Sequence, residues 1–465
     1  RLSYQNIING SFQDNFTKYF NQHIGFRPFF IKTYNQFYYS FFTTSPNTDV
    51  IFGKNNQLYI SDYINVYYSK KQSINYSQME DSIKELKKAQ ELFYEKGVIF
   101  LFLISANKAS IYPEGIPDEF MTSETELNLG YKSIVTLMDK YNVNYIDGHE
   151  IFMARKKNAE YALFAKGGIH WNHYGASMVI NNILEKAESL SKKNLTKIDL
   201  SLVDLDDYSK GKENDLAMLL NIWSTPIKEK YPHPRLQRII SKNEFKPNVL
   251  IIGSSFSELI AELFIDYSIT NKLCRYYYYY SYANCTDGKS GDIGKLDWNK
   301  DVFRNDVIIL EANEGLLPDR YGFIHDALTI MESHNIHPLT FSYENNRYVD
   351  KLYLDNRLQY RFKKGVPSSA VLLKSDGITI DKKSNYITVS FIAEGFDKIK
   401  CDLYPGKLLS SAKINGPYNY ETYTYIFKTL EATMKDYTLQ FIMDGSSASD
   451  KDTYIYDIKM YSTKH

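Results

Sequence analysis

The chain has 465 residues, with 55 Lys+Arg against 55 Asp+Glu, long enough for two or three domains. Zero net charge argues against a general nucleic-acid binder, which needs a basic surplus. A hydrophobic content of 43% with 24% charged residues excludes disorder and provides for a large core, and the odd figure is aromatic: 41 Tyr and 27 Phe against 3 Trp.

The first sixty residues are aromatic and helical in pattern, with Phe12, Phe16, Tyr19 and Phe20 ahead of Gly25-Phe26-Arg27-Pro28. After the turn Ser45-Pro46-Asn47, the runs Val50–Phe52 and Leu58–Ile60 read as two strands. From Ser77, which with Glu80 has capping-box spacing, Met79, Ile83, Leu86 and Phe93 form a helical stripe closed by Gly97. Val98–Ile104 is an uninterrupted apolar run, as buried parallel strands are, and is far too short to span a bilayer. Alternation then continues: helix near 127–141, strand 144–146, helix 174–191, strand 249–252, helix 256–264, strand 307–310, helix near 323–334. Strands alternating with helices predict a parallel sheet covered on both faces.

Beyond a boundary near 345–360 the period changes. Runs 386–392, 398–403, 423–427, 437–442 and 453–461 read as strands separated by turns such as Pro405-Gly406 and Asp444-Gly445, the pattern of a β-sandwich. The domains are therefore drawn as 1–348, with 1–76 a separate N-terminal segment, and 349–465. Of three cysteines only Cys274 and Cys285 are spaced to pair, and free thiols are the plainer expectation. No CxxC pair exists, so a structural zinc site is not expected; no metal and no cofactor are assigned. The chain begins with Arg1 rather than Met, and an N-terminal segment is expected to precede it.

The strongest chemical signal is Val249-Leu250-Ile251-Ile252-Gly253-Ser254-Ser255-Phe256-Ser257. A buried strand that runs through Gly-Ser-Ser into a helix puts a serine at the carboxyl edge of a parallel sheet, beside backbone N–H groups able to hold an oxyanion. The plainer alternative is that one of the serines simply caps the helix. A serine nucleophile needs a base, and the most distinctive histidine is His170 in Gly167-Gly168-Ile169-His170-Trp171-Asn172-His173-Tyr174.

"GGIHWNHYGA" followed about 85 residues later by "VLIIGSSFS" resembles the AlgJ/AlgX-type alginate O-acetyltransferase family, SGNH-hydrolase-like proteins whose histidine motif precedes the serine motif. "NFTKYFNQHIGFRPFFIKTYN", "VIFGKNNQLYIS", "LISANKASIYPEGIP" and "VIILEANEGLL" are similar to further family stretches, in the same order over roughly residues 10–320. The resemblance implies an SGNH-like α/β domain and, by architecture alone, a C-terminal β-sandwich like a carbohydrate-binding module. It assigns Ser255 as nucleophile and His170 as general base, with the Ser255 N–H and Asn313 at the oxyanion. It also implies a polysaccharide acceptor, acetyl supplied by a membrane-bound O-acyltransferase, and a location outside the cytoplasm, anchored or secreted through the preceding segment.

In one place the sequence departs from the family. The usual Asp two residues before the histidine is Gly168 here, so the acid is left among Asp147, Glu311 and Glu314, or absent. Candidate substrate contacts are Trp171, Lys108 (which would hold an anionic sugar or steady a loop) and Tyr279, Tyr280 and Tyr282, placed by the run 276–280 at the next strand's carboxyl end. Tyr418, Tyr420, Tyr423 and Tyr425 are candidates to stack on sugar rings. A carbohydrate acetylesterase with the same Ser/His pair, and a non-catalytic polysaccharide-binding scaffold, are the competing readings.

Overall fold

A computed structural model describes residue 8, residues 10–23 and residues 25–338, apart from 70–74, 122–126, 226, 240–243, 284, 294–295, 317, 320 and 333–335; beyond 338 it describes the strands. The α/β unit is organised by seven strands: β1 (Ile99–Ser105), β2 (Tyr145–Asp147), β3 (Asn248–Gly253), β4 (Lys272–Tyr277), β5 (Ser281–Ala283), β6 (Gly291–Asp292) and β7 (Val307–Asn313). They lie in the order β6-β5-β4-β3-β7-β1-β2. β4, β3, β7, β1 and β2 pair in parallel, while β5 and β6 extend the sheet antiparallel.

Six helices cover it: α1 (Tyr76–Glu95), α2 (Leu129–Lys140), α3 (Gly148–Lys156), α4 (His173–Ser191), α5 (Phe256–Asp266) and α6 (Phe323–Glu332). Successive strand side chains point to opposite faces, and both faces are apolar. Leu101, Leu103, Val249, Ile251 and Ile309 pack under α3, α4 and α5 through Phe152, Val179, Ile180 and Phe256. Phe100, Phe102, Leu250, Ile252 and Leu310 pack under α1, α2 and α6 through Ile83, Phe93, Ile134 and Phe323. The α1 start differs from its sequence signature. Asn75, not Ser77, is the N-cap, accepting from Gln78 N–H at 3.2 Å, because Glu80 is drawn away to Lys140 and Tyr141.

The C-terminal strands form a β-sandwich. One sheet contains Val349–Leu354, Arg357–Phe362, Thr453–Thr463, Tyr386–Glu394, Tyr420–Thr429 and Gly406–Asn415 in that order, with Ile336–Pro338 also paired to Thr453–Thr463. The other contains Val371–Thr379, Asp436–Met443 and Ile399–Tyr404. Val389, Phe391, Phe427, Leu403 and Phe441 are buried, and Phe391 meets Phe441 edge-on at 4.8 Å. Tyr425 belongs to this core, with its ring parallel to Phe391 and its hydroxyl on the Ile399 carbonyl at 3.0 Å, so it offers no face to a sugar. Tyr418 and the side chains of Tyr420 and Tyr423 lie outside the described residues.

In the N-terminal segment, Val50–Phe52 and Leu58–Ile60 pair as an antiparallel hairpin. The helix Arg27–Phe42 buries no residue fully and leaves Phe29, Phe30, Phe37 and Phe41 exposed. No described helix is long and apolar enough to cross a membrane.

Cys274 and Cys285 are joined in a disulfide, not free. The hairpin of β4 and β5 brings the two together across 11 residues of sequence, whereas Cys401 is buried and free, its thiol pushed up by burial. Closing a loop of this length stabilises by about 3 kcal/mol. Cys285→Ser, or reductant on the wild type, lowers unfolding stability by about that amount in a urea titration; an unchanged midpoint would show that the crosslink constrains nothing.

Candidate active site

The carboxyl end of β3 runs into Ser254 and Ser255, and α5 begins at Phe256. The two serines have separate tasks. Ser254 is the anchor: its N–H and hydroxyl donate to Glu311 Oε2 at 2.7 and 2.8 Å, and its Oγ accepts from Phe256 N–H at 3.2 Å. Glu311, fully buried on β7, also accepts from the Ser105 hydroxyl. Burial pushes its carboxyl up, against the hydrogen bonds from Ser105 and Ser254. Gly253 is required here, since a Cβ on it would lie 2.6 Å from Glu311 Oε2. Arg275, buried on β4, donates from Nε to Ser257 Oγ at 3.0 Å and lies 3.4 Å from the Ser254 carbonyl.

Ser255 is left to face the cleft. Its hydroxyl lies 2.7 Å from His170 Nε2, and its N–H has no partner among the described residues. The other ring nitrogen, His170 Nδ1, lies 2.7 Å from Asp215 Oδ2. A nitrogen facing a carboxylate carries the proton, which leaves Nε2 to accept from the serine. Asp215 Oδ1 also accepts from Ile169 N–H at 2.9 Å, so one carboxylate fixes both the ring and its backbone.

None of the three carboxylates considered from sequence takes this place. Asp147 caps α3 through Glu150 N–H and accepts from Tyr131. Glu311 holds Ser254. Glu314 pairs with His149 Nδ1 at 2.6 Å; burial opposes charge on that ring, but Glu314 raises it above the usual histidine value. Asp215, on the short helix Asp215–Leu219, is 45 residues from His170 in sequence. The one signal that pointed toward it is the glycine at 168. A Cβ there would lie 2.4 Å from the Glu213 carbonyl oxygen, so the absence of a side chain is what admits segment 212–215. Glu213 is itself anchored: burial opposes its charge, but His173 and the N–H groups of His173 and Lys210 hold its carboxyl down to about 2.

The remaining expectations divide. Lys108 is not a sugar contact but the brace of the histidine loop. Its buried ammonium donates to the carbonyls of Ala165, Lys166 and Gly168 at 2.7, 2.8 and 2.9 Å. Burial pushes it down to about 7, against the charges of Glu229 and Asp215. Trp171 is fully buried against Phe152 and Phe256, and Phe256 in turn meets the His170 ring. Asn313 is buried and donates to the Ser105 carbonyl at 3.2 Å. The tyrosine run leaves the strand after Tyr277. Tyr278 and Tyr279 are left-handed (φ 46° and 59°), and Tyr278 N–H bonds the Gly253 carbonyl at 2.9 Å. Tyr279 is core, not a substrate contact: it packs on Phe323 and donates to Asp326 at 2.9 Å. Tyr280 is half-buried and stacks on Tyr278. Tyr282 pairs with Tyr276 and Gly291 through its backbone, and its side chain lies outside the described residues.

A brace and a sugar contact respond differently to mutation. Lys108→Met leaves three carbonyls without a buried donor and costs roughly 3 kcal/mol in chemical denaturation; a sugar-contact lysine would leave stability unchanged.

Residues 50–264 match the family described as "SGNH hydrolase-like domain, acetyltransferase AlgX". Among solved structures, Pseudomonas aeruginosa AlgX is similar at 11% identity and TM-score 0.44, covering 89% of this chain and 94% of that one. The O-acetyltransferase domain of Pseudomonas putida AlgJ is similar at 16% identity and TM-score 0.38, covering 58% and 92%. A CBM4 structure is similar at 12% identity and TM-score 0.18, covering 27% and 78%. No curated protein matches the chain.

Proposed function

Since residues 50–264 belong to the SGNH hydrolase-like acetyltransferase AlgX family, we propose that this chain O-acetylates a polysaccharide through an acetyl-serine intermediate. The observation that carries the reading is the unbroken chain Ser255 Oγ–His170 Nε2, His170 Nδ1–Asp215 Oδ2, each link 2.7 Å, at the carboxyl edge of a parallel sheet. In it Ser255 Oγ attacks the carbonyl of an acetyl donor while His170 Nε2 takes the hydroxyl proton. Asp215 supports the imidazolium that results. The oxyanion is met by the Ser255 N–H, at the start of α5, and by the second amide hydrogen of Asn313. Collapse of the tetrahedral adduct expels the donor's alcohol, which takes the proton from His170. A sugar hydroxyl then gives its proton to Nε2 and attacks acetyl-Ser255, and the serine recovers the proton as it leaves.

In this reading the sandwich, whose sheet already takes in the strand Ile336–Pro338 ahead of the 348/349 division, serves as a sugar-holding module. The Cys274–Cys285 disulfide supports action outside the cytoplasm. A membrane-bound O-acyltransferase is the acetyl source in this reading, on the strength of the family resemblance alone.

Incubation with a chromogenic acetyl ester, with and without an oligosaccharide acceptor, tests the proposal. Acetylated sugar forms in wild type and disappears in Ser255→Ala; free acetate as the sole product would favour an esterase, and no turnover would sink both. Asp215→Asn lowers kcat by roughly 10⁴-fold with little change in KM, because the imidazole loses its orienting charge. Gly168→Asp, although it supplies the family's usual acid, also loses activity: its Cβ collides with the Glu213 carbonyl and displaces Asp215. Activity at or above wild type in Gly168→Asp would contradict the relocated acid.

A further inference from the structure

Outside the Ser255–His170–Asp215 chain, three metal-ligating side chains converge among the described residues. The donor atoms of His173, Glu213 and His233 all lie within 4.8 Å of one another. They come from the first residue of α4, the segment ahead of Asp215, and the strand Tyr231–Pro234. Glu213 and His233 are buried, and His173 is partly so. Glu213 lies between the two rings: Oε1 is 2.7 Å from His173 Nδ1, and Oε2 is 2.9 Å from His233 Nε2.

We propose that His173, Glu213 and His233 bind a divalent transition metal of the zinc class. Two imidazoles and a carboxylate are a donor set that zinc takes readily, leaving a fourth position for water or a ligand. The spacing fits. Two imidazoles sharing one tetrahedral ion at about 2.0 Å have ring centres about 5 Å apart, and those of His173 and His233 are 5.1 Å apart, with the rings crossed at 82°. The outer shell is also built. His233 Nδ1 donates to Asp206 at 2.6 Å, the carboxylate–histidine arrangement that fixes a metal-binding tautomer. The Glu213 oxygens are steered by N–H groups of His173 at 3.0 Å and Lys210 at 2.9 Å.

Binding exchanges protons for the ion. His233 keeps its Nδ1 proton for Asp206 and turns Nε2 to the ion, any proton on Nε2 leaving to solvent. His173 transfers its proton from Nδ1 to Nε2. The ion thereby ties Glu213, two residues before Asp215, to His173, three residues after His170. Glu213 also lines the cleft that holds His170 and Ser255.

Chelator-stripped chain titrated with Zn²⁺ by calorimetry, and with Co²⁺ by visible absorption, decides the matter without reference to acetyl transfer. The expected result is one ion per chain, the d–d bands of a four- or five-coordinate cobalt site, and a rise in thermal midpoint with zinc. His233→Asn and Asp206→Asn, the second touching no ion, weaken binding about tenfold or more. Ser255→Ala binds as the wild type does. Less than one equivalent of either metal at saturation, or folded His233→Asn and Asp206→Asn that bind as tightly as wild type, would overturn the site and leave the cluster a proton-held clamp.

Discussion

The hydrogen-bonded chain Ser255–His170–Asp215 depends on a backbone contact at Gly168. The Glu213 carbonyl comes so close that a Cβ would meet it at 2.4 Å, and only a glycine permits the approach. The contact lays segment 212–215 along the histidine loop and delivers Asp215 to both the His170 ring and the Ile169 N–H. Lys108 gathers the carbonyls of residues 165, 166 and 168. The imidazole is thus oriented by groups outside its own motif, and the loop itself supplies little beyond the ring. A buried ammonium is costly to desolvate, and three short carbonyl contacts offset much of that cost.

The serine elbow follows the same logic of a buried charge satisfied on every side. Glu311 sits in the middle of the parallel sheet, an expensive place for a carboxyl, and is met by Ser105 and by both donors of Ser254. Arg275 reaches the same turn from β4. Such a network is stable only while complete, which makes the turn stiff. Its stiffness frees Ser255: with Ser254 taking the capping and anchoring bonds, the Ser255 hydroxyl and N–H are left to the cleft.

Among the described residues, part of the aromatic surplus packs the core of the α/β unit. Phe93, Trp298 and Tyr279 surround Phe323 with centroids 5.2 to 6.1 Å apart, and Phe256, packed against Trp171, meets the His170 ring. Tyrosine in the run 276–280 is divided between the buried Tyr276 and Tyr279 and the half-buried Tyr277, Tyr278 and Tyr280, because the chain leaves the strand at Tyr277 and turns left-handed at Tyr278 and Tyr279. That turn is a backbone event, and strand alternation does not foresee it.

The layers are legible in the sequence, and so are Ser255 and His170, two members of the hydrogen-bonded chain that Asp215 completes. Apolar runs such as 99–105 and 249–253 have a strand's period and length, the stripe at 79, 83, 86 and 93 has a helix's, and Gly-Ser-Ser after a buried strand places a serine at the sheet edge wherever it occurs. These features are written within a few neighbouring residues. Asp215, the Cys274–Cys285 bond, the bracing role of Lys108 and the meeting of His173, Glu213 and His233 were decided only by the tertiary structure. Their partners lie 11 to 60 residues apart, and no local period records which distant side chain a buried charge or ring nitrogen will meet. Gly168 stands between the two cases: its missing side chain is visible in the sequence, but the reason for it is a backbone carbonyl that only the folded chain brings there.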